Sequence, residues 1–301
     1  HGANLSEINA IVGRGGNMKP VQGGTYKIND AMVEDLKIGV QGEHASNLGG
    51  IISKSIADDQ KIPSFIVDPV AVDEFEDVAR VSGIPELPRK SLVHALNIKA
   101  VARRAATDLG MTIEEVNLII AHLGGGISIA PLKKGKTIDV NNANEGGPFS
   151  PERAGGLPVG DIFTLCFSGK YSQSELKRMT IRKAGLVGYL GTNDAREVEK
   201  MIEQGHQNAD FVYDAMAYQI AKEIGAMATV LKGSVEAIVL TGGLAYSNIL
   251  CERIERRIKF IAPILKYPGE DEMLALTEGA MRVLKNEEVA KIYEEEVNKI
   301  N

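Results

Sequence analysis

The sequence predicts an α/β fold divided into two domains, on three observations. Apolar runs typical of strands alternate with segments whose apolar residues recur at helical spacing. The chain has 301 residues, and single hydrophobic cores rarely grow beyond ~250–300 residues. Glycine is abundant, at 32 residues, and its pairs and triplets border the apolar runs, where the backbone turns sharply or approaches a ligand closely.

The apolar runs and the helical spacing give the elements in chain order. Strands are expected at 10–12, 64–67, 116–122, 126–132, 137–140, 235–240 and 261–267. Helices are expected at 30–39, 45–60, 90–109, 197–204, 209–232, 250–259 and 272–286. Three of these strands, at 116–122, 126–132 and 137–140, follow each other before any helix. This order predicts consecutive antiparallel strands. A dinucleotide-binding fold would place a helix after its glycine-rich turn.

Charge and cysteine content exclude several functional classes. The net charge is −6, from 34 basic and 40 acidic residues, so there is no basic excess for nucleic acid or an anionic membrane. Cys166 and Cys251 form no paired motif, which indicates a reducing, cytoplasmic compartment and argues against a thiolate metal site. No apolar run approaches the ~20 residues that span a bilayer.

Two glycine-rich turns are candidates for a ligand site. Gly124-Gly125-Gly126 follows a buried strand and could cradle a phosphate with backbone N–H groups, or form a tight hairpin. Leu240-Thr241-Gly242-Gly243 could let a ribose or base lie flat on the backbone, or could be a plain turn between a strand and a helix. The residues alone leave both alternatives open.

Polar side chains in unusual settings are the other candidates. Arg14 and Arg153 stand in stiff Gly/Pro-rich loops, which suits bidentate contact with a carboxylate or phosphate, or a salt bridge within the loop. His122 ends a buried strand, and Asp68 ends another.

Two further histidines and a carboxylate lie on expected helices. His94 is expected on an apolar helical face and His44 at the start of a helix; each is a catalyst or a satisfied core group. Glu278 is expected on a helix among buried neighbours, namely Leu274, Ala275 and Ala280. Carboxylates such as those of Asp68 and Glu278 can hold Mg²⁺ or cap structure.

Taken in chain order, these motifs resemble the butyrate kinases. The matching segments are Ile11-Val12-Gly13-Arg14-Gly15-Gly16, Gly42-Glu43-His44-Ala45-Ser46-Asn47, Ile66-Val67-Asp68-Pro69, Ala121-His122-Leu123-Gly124-Gly125-Gly126, the loop 148–156, and Leu240-Thr241-Gly242-Gly243. The resemblance places the chain in the acetate kinase group of the actin, sugar-kinase and heat-shock ATPase superfamily. It implies two ribonuclease-H-like domains with a nucleotide cleft between them.

The resemblance also implies how the chain is divided. Residues 1–69, completed by a C-terminal helix at 281–301, would form the N-terminal domain, and residues 70–280 the nucleotide-binding and dimerisation domain of a homo-oligomer. Family members open with a strand and an Asn-x-Gly-Ser-rich phosphate loop. Since the sequence given opens beyond such a loop, we expect the first strands of the N-terminal domain to be missing from it and turnover to require them.

The activity implied is reversible transfer of a phosphoryl group from ATP to butyrate, with Mg²⁺. Arg14 and Arg153 match the arginines that hold the carboxylate and the phosphoryl group in flight. His122 matches a histidine that donates to the phosphoryl group, and His94 and His44 match a second and third.

The remaining matches concern the metal and the nucleotide. Asp68 and Glu278 match acidic residues around Mg²⁺. The nucleotide-contacting matches are the phosphate turn Gly124, Gly125 and Gly126, the nucleoside segment with Asp194 and Arg196, and the adenosine turn with Gly242 and Gly243.

Three positions depart from the acetate kinases. Gly16 replaces a valine and Val93 a phenylalanine, and both changes remove volume near the acyl group. Since each buried CH₂ contributes ~0.8 kcal/mol, a roomier apolar pocket would favour four-carbon acids. Gly125 replaces an asparagine, so one phosphate contact would come from the backbone.

Two other functions remain open. The chain could act on branched short acids such as isobutyrate. It could also be a nucleotide-binding module without catalysis, or a chaperone-like ATPase. The joint presence of Arg14, Arg153, His122 and Glu278 argues against this last class, because a binding module has no use for arginines that hold a carboxylate.

Overall fold

The computed structural model describes residues 7–42 and 45–300, with side chains described up to residue 297. The chain forms two compact units, one of residues 1–100 with 271–301 and one of residues 101–270. The expected boundaries at 69/70 and 280/281 differ from these. Residues 70–100 stay with the first unit because Val72 bridges Val21, and because Glu74 accepts a hydrogen bond from Gly23 N and pairs with Lys99.

The strands and helices run as follows. The strands are β1 (Ile11–Gly13), β2 (Thr25–Lys27), β3 (Ser64–Val67), β4 (Asn117–Leu123), β5 (Ile127–Lys133), β6 (Lys136–Thr137), β7 (Ala237–Gly242) and β8 (Ile264–Pro268). The helices are α1 (Asp30–Ile38), α2 (Asn47–Gln60), α3 (Asp77–Arg80), α4 (Ala95–Asp108), α5 (Val159–Cys166), α6 (Gln173–Arg182), α7 (Gly185–Leu190), α8 (Ala195–Glu203), α9 (Gln207–Val230), α10 (Asn248–Ile258), α11 (Glu272–Leu284) and α12 (Tyr293–Ile300). The α/β class is therefore confirmed.

The first unit is built on a three-stranded sheet. Its central strand, β3, pairs with β1 in parallel and with β2 antiparallel. Helix α11 packs so closely on β3 at Gly279 that a Cβ at this position would clash with Val67. Buried side chains of α1, β2, β3 and α12, among them Met32, Tyr26 and Tyr293, form its core.

The second unit has a five-stranded sheet in the order β6-β5-β4-β7-β8. Strands β4, β5 and β6 are antiparallel neighbours, whereas β4, β7 and β8 are parallel. The prediction of three consecutive antiparallel strands is confirmed. Because β4, β7 and β8 are parallel, their carboxyl ends lie at the same edge of the sheet, where His122, Gly242 and Pro268 are found.

Helix α9 covers this sheet and carries much of the core. Its buried residues recur at helical spacing from Val212 through Met216 and Ile220 to Ile224 and Met227. They pack with the buried side chains of β4, β5 and β7 in one apolar cluster. This cluster holds the strand ends in fixed positions, which the candidate site requires.

Several elements were not predicted. Strand β2 is a three-residue run with no apolar alternation, and helices α5 to α7 lie in a segment interrupted by Gly160, Gly169 and Gly185. The expected strand at 137–140 is confined to Lys136–Thr137. Within residues 7–42 and 45–300, no helix has the length and the apolar content that crossing a bilayer demands.

Candidate active site

A pocket of about 750 Å³ opens beside the carboxyl edge of the second unit's sheet. Its wall contains five of the predicted nucleotide-contacting residues, namely Gly124, Gly125, Asp194, Arg196 and Gly243. The other lining residues are Pro151, Glu152, Asn193, Ala195, Glu199, Leu244, Tyr246 and Ser247. Gly126 and Gly242 adjoin lining residues in the chain without lining the pocket themselves.

The triple glycine forms a hairpin that also lines the pocket. Gly124 N donates a hydrogen bond to Gly126 O at 3.2 Å, which closes the turn between β4 and β5. Gly125 is exposed, and no atom lies within 4 Å of the position that its Cβ would take. The hairpin and the phosphate cradle are thus compatible, since the turn presents bare backbone to the pocket.

The second glycine turn contains Gly242, whose backbone conformation requires glycine, and Gly243, which has free space beside it. Gly242 has a φ of 87°, and a Cβ there would lie 2.4 Å from Leu123 O, so only glycine fits. Gly242 also exchanges backbone hydrogen bonds with Gly269. Gly243 begins the 3-10 turn Gly243–Tyr246, and a Cβ there would meet no atom within 4 Å. The turn therefore offers a flat surface to a ligand.

Asp194 and Arg196 form one unit at the start of α8. Asp194 is the N-cap and accepts a hydrogen bond from Arg196 N at 2.9 Å. The Arg196 guanidinium binds the same carboxylate, with Nη2 at 2.6 Å from Oδ2. Hydrogen bonds from the Arg196 side chain and backbone lower the pKa of Asp194 to about 2, so the carboxylate is ionised at neutral pH.

His122 is a buried polar group beside the hairpin. It is 1% exposed at the end of β4, and its Nε2 lies 3.1 Å from Glu270 Oε1. A Cβ on Gly124 would lie 3.3 Å from His122 Nε2 and 3.4 Å from Glu270 Oε1, so the pair adjoins the hairpin. Because a carboxylate only accepts, Nε2 carries the proton.

Sequence reasoning missed Glu270. It follows β8, whose carboxyl end lies at the same sheet edge as that of β4. The predicted strand that ends at Tyr267 could have indicated Glu270, because ligand-contacting residues in open α/β sheets follow the carboxyl ends of strands.

Arg153 is held against the hairpin by its own loop. A Cβ on Gly126 would lie 2.4 Å from Arg153 Nη1, so the guanidinium packs on the bare glycine. The same nitrogen donates to Ala143 O at 3.2 Å. Burial lowers the pKa of Arg153, although Glu152 opposes this, and a guanidinium remains charged at neutral pH. A fixed cation thus lies at the glycine turn.

The 148–156 loop is stiff because it is closely packed. Only glycine fits at position 185, because a Cβ there would lie 1.7 Å from Ser150 O. Ser150 N donates to Arg153 O at 3.0 Å, and Ser150 Oγ donates to Gly125 O at 2.5 Å. These contacts tie the loop to the hairpin and fix the base of the Arg153 side chain.

In the first unit, Arg14 follows β1 in a tightly packed turn. A Cβ on Gly49 of α2 would lie 2.3 Å from Arg14 O, so the helix crosses directly over the backbone. The Arg14 side chain is 56% exposed, and its Nη2 lies 3.1 Å from Glu272 Oε1 at the start of α11. Sequence reasoning missed Glu272 as the partner of this arginine.

Asp68 and Glu278 differ in their surroundings. Asp68 is 1% exposed with a φ of 38°, and its Oδ1 accepts a hydrogen bond from Gly24 N at 2.7 Å. Glu278 is exposed on α11. Ala275 and Ala280 are buried as predicted, but Leu274 is 54% exposed, so that part of the prediction is wrong.

The carboxylates available for a metal ion are the kind of donor that Mg²⁺ prefers. Within the described ranges, no group of three or more His, Cys, Asp or Glu side chains converges as metal ligands. Mg²⁺ is commonly held by one or two carboxylates together with substrate phosphates. The carboxylates of Asp68 and Glu278 fit that donor chemistry.

The other predicted residues of the first unit have mixed outcomes. His94 lies just before α4, which begins at Ala95, so its predicted place on a helical face is wrong. Its carbonyl accepts a hydrogen bond from Ile98 N in the first turn of the helix. Leu92 and Val93 precede the helix and do not belong to its periodicity. His44 lies outside the described residues.

Gly16 and Val93 are both buried. A Cβ on Gly16 would lie 2.3 Å from Asn47 Oδ1 and 2.5 Å from Asn47 Cα, so Asn47 fills the volume that the absent side chain leaves. Gly16 therefore serves the close approach of α2, and its place in an acyl pocket stays a prediction. Val93 is 2% exposed.

Residues 86–262 match the acetokinase family. The chain is 58% identical over 290 residues to a "probable butyrate kinase" of Clostridium botulinum, covering 96% of this chain and 82% of that protein. It is 59% identical over 293 residues to "probable butyrate kinase 2" of Caldanaerobacter subterraneus, covering 97% and 83%. The crystal structure of Porphyromonas gingivalis acetate kinase superposes with a TM-score of 0.80 at 21% identity, covering 93% of this chain and 79% of that one, which shows a shared fold.

Proposed function

Because this chain belongs to the acetokinase family, we propose that it transfers the γ-phosphoryl group of ATP to butyrate, giving butyryl phosphate and ADP, and catalyses the reverse reaction. The observation that carries the proposal is 58% identity to a probable butyrate kinase across 96% of the chain. The pocket of the second unit supports it independently, since it collects glycine turns and polar groups suited to a nucleotide.

We place ATP in this pocket. The hairpin at Gly124 and Gly125 would receive the phosphates on its backbone N–H groups, and Gly243 would receive the adenosine. The second unit contains three consecutive antiparallel strands, β4 to β6, as expected for a ribonuclease-H-like domain. This supports assigning the chain to the ribonuclease-H-like kinases.

The reaction needs no protein nucleophile, since the carboxylate of butyrate attacks the phosphorus directly. Catalysis is then positioning and stabilisation of negative charge on a loose phosphoryl transition state. We assign Arg153 and His122 to the phosphoryl oxygens, because the guanidinium and Nε2–H both lie at the hairpin. Glu270 pairs with Nε2 and must give way when a phosphoryl oxygen takes its place.

We assign Arg14 to the carboxylate of the acid. Its guanidinium already binds one carboxylate, that of Glu272, on an exposed side chain. Exchange of Glu272 for butyrate preserves the geometry of an arginine–carboxylate pair. His94 and His44 are proposed as further donors to the reacting groups.

Asp68 and Glu278 would hold Mg²⁺, either directly or through water. When bound, the metal ion supplies charge neutralisation to the nucleotide phosphates. The buried Asp68 carboxylate, fixed by Gly24 N, and the exposed Glu278 carboxylate provide the oxygen ligands that Mg²⁺ prefers.

The acyl preference is expected to depend on Val93. Replacing Val93 by phenylalanine should lower the ratio of kcat/KM for butyrate to that for acetate about 10-fold, because room for two methylenes, each contributing ~0.8 kcal/mol, is lost. The ratio is measured by trapping acyl phosphate with hydroxylamine in the full-length protein.

Val72→Phe is the matched control for Val93→Phe. Val72 is also buried in the first unit but has no assigned role, so it reports the general cost of overpacking. The pocket assignment is contradicted if both variants leave the acid ratio unchanged while their stabilities fall alike.

A panel of acids tests the proposed function itself. We expect the full-length protein with ATP and Mg²⁺ to form acyl phosphate from butyrate with a higher kcat/KM than from acetate or isobutyrate. Preference for isobutyrate would assign the enzyme to branched acids. Nucleotide binding without any acyl phosphate would favour a binding module. We further propose a cytoplasmic homo-oligomer whose partners are small molecules and not nucleic acid or membrane, consistent with the free cysteines.

A further inference from the structure

The nucleotide pocket contains a carboxylate that the mechanism above does not use. Glu199 of α8 lines the pocket together with Ser247. Its Oε1 accepts hydrogen bonds from the Tyr213 hydroxyl at 3.0 Å and from the Ser247 hydroxyl. Among the described residues, none donates a hydrogen bond to Oε2. Glu199 is partly exposed, so its second oxygen is available to a ligand.

The groups behind Glu199 fix its orientation. Tyr213 is fully buried on α9, and burial raises the pKa of its hydroxyl, which therefore stays protonated and donates. The Tyr213 hydroxyl lies 3.2 Å from Ser247 Oγ. Ser247 is the N-cap of α10 and accepts a hydrogen bond from Leu250 N at 2.9 Å. Three helices thus hold the carboxylate in place before a ligand arrives, which reduces the entropic cost of binding.

The chemistry of a fixed carboxylate restricts what it can contact. An ionised carboxylate accepts hydrogen bonds and repels phosphate, so its partner must be a donor on the nucleoside. A nucleoside offers ribose hydroxyls and the amino group of the base. In nucleotide-binding folds, carboxylates commonly accept hydrogen bonds from ribose hydroxyls. On the same wall, Tyr246 is 70% exposed and presents an aromatic ring on which a base can pack.

We infer that Glu199 Oε2 accepts a hydrogen bond from a ribose hydroxyl, and that this contact makes the pocket select ribonucleotides over deoxynucleotides. The inference rests on the proposed function, because it takes the nucleoside to occupy this pocket. Glu199 is thereby a residue that determines specificity for the nucleotide. It does not act on the phosphoryl group.

Direct binding tests this assignment. Isothermal titration measures the Kd of ADP, 2′-deoxyADP and 3′-deoxyADP with the full-length protein and with Glu199→Gln. Glutamine keeps an oxygen that accepts from Tyr213 and Ser247 but replaces Oε2 with a donor. We expect the parent to bind ADP about 10-fold more tightly than at least one deoxynucleotide, as for a hydrogen bond to a charged group, and the variant to lose most of that difference.

Glu203→Gln is the matched control, since Glu203 lies exposed on the same helix and outside the pocket. It should retain the preference of the parent for ADP. The inference is overturned if the parent binds all three nucleotides equally, or if Glu199→Gln weakens all three by the same factor. It is also overturned if the variant instead loses discrimination against IDP, which lacks the adenine amino group, since Glu199 would then contact the base.

Acyl phosphate formation, measured in parallel, separates this inference from the proposed function. Butyryl phosphate formed without discrimination between sugars would overturn only the assignment of Glu199. Absence of all nucleotide binding would overturn both. Sugar discrimination without acyl phosphate would leave Glu199 as the selecting residue of a nucleotide-binding protein.

Discussion

Replacing Arg153 by alanine should lower kcat for butyryl phosphate formation by about 100-fold or more, since preorganised charge at the transition state typically contributes this much. The guanidinium packs on Gly126 and is fixed by a loop that cannot relax easily. The measurement is the steady-state rate of hydroxamate formation with saturating ATP and butyrate.

Two further variants make the Arg153 result specific. Arg178→Ala removes an exposed arginine from α6 and should leave kcat unchanged. Arg153→Lys keeps the charge but not the planar fork, so it should recover only part of the activity. A kcat for Arg153→Ala within severalfold of the parent, with an unchanged melting temperature, would show that Arg153 is structural.

Replacing Arg14 by alanine should lower kcat/KM for butyrate by about 100-fold, since a charge-assisted, bidentate contact with the acid is lost. The KM for ATP should change little. Folding should be retained, because the side chain is 56% exposed and its ion pair with Glu272 is a surface contact. Initial rates over a range of butyrate and ATP concentrations separate the two effects.

Lys37→Ala is the control for Arg14→Ala, since Lys37 is an exposed cation of the same unit with no assigned role. Glu272→Gln provides a second comparison. If Arg14 acts only as the partner of Glu272, both variants should affect activity equally. If Arg14 binds the acid, removing the competing carboxylate should leave activity far higher than in Arg14→Ala.

The sequence predicted the position of site residues best where a short polar or glycine-rich motif directly follows a predicted strand. The run that became β4 was predicted to end at His122, and the run that became β7 to end at Leu240, just before a glycine turn. The structure places His122 and Gly242 at one edge of the sheet. Strand pairing in parallel makes this outcome predictable, because neighbouring carboxyl ends coincide. The same reasoning, extended to β8, would have indicated Glu270.

Other parts of the site could not be read from the sequence. Glu199 is one of several glutamates on an ordinary amphipathic helix, and only the packing of α8 against α9, with Ser247 at the start of α10, places it beside Tyr213 and Ser247. His94 was misplaced because the two apolar residues before it imitate helical periodicity. Asn47 could not be predicted to fill the space beside Gly16, since that contact depends on how α2 crosses β1.

Following the γ-phosphorus of ATP by ³¹P NMR tests the central claim most directly. With Mg²⁺, butyrate and the full-length protein, we predict an acyl phosphate resonance that grows in step with ADP and is absent without butyrate. Release of inorganic phosphate at the same rate with and without butyrate, and no acyl phosphate, would contradict the account.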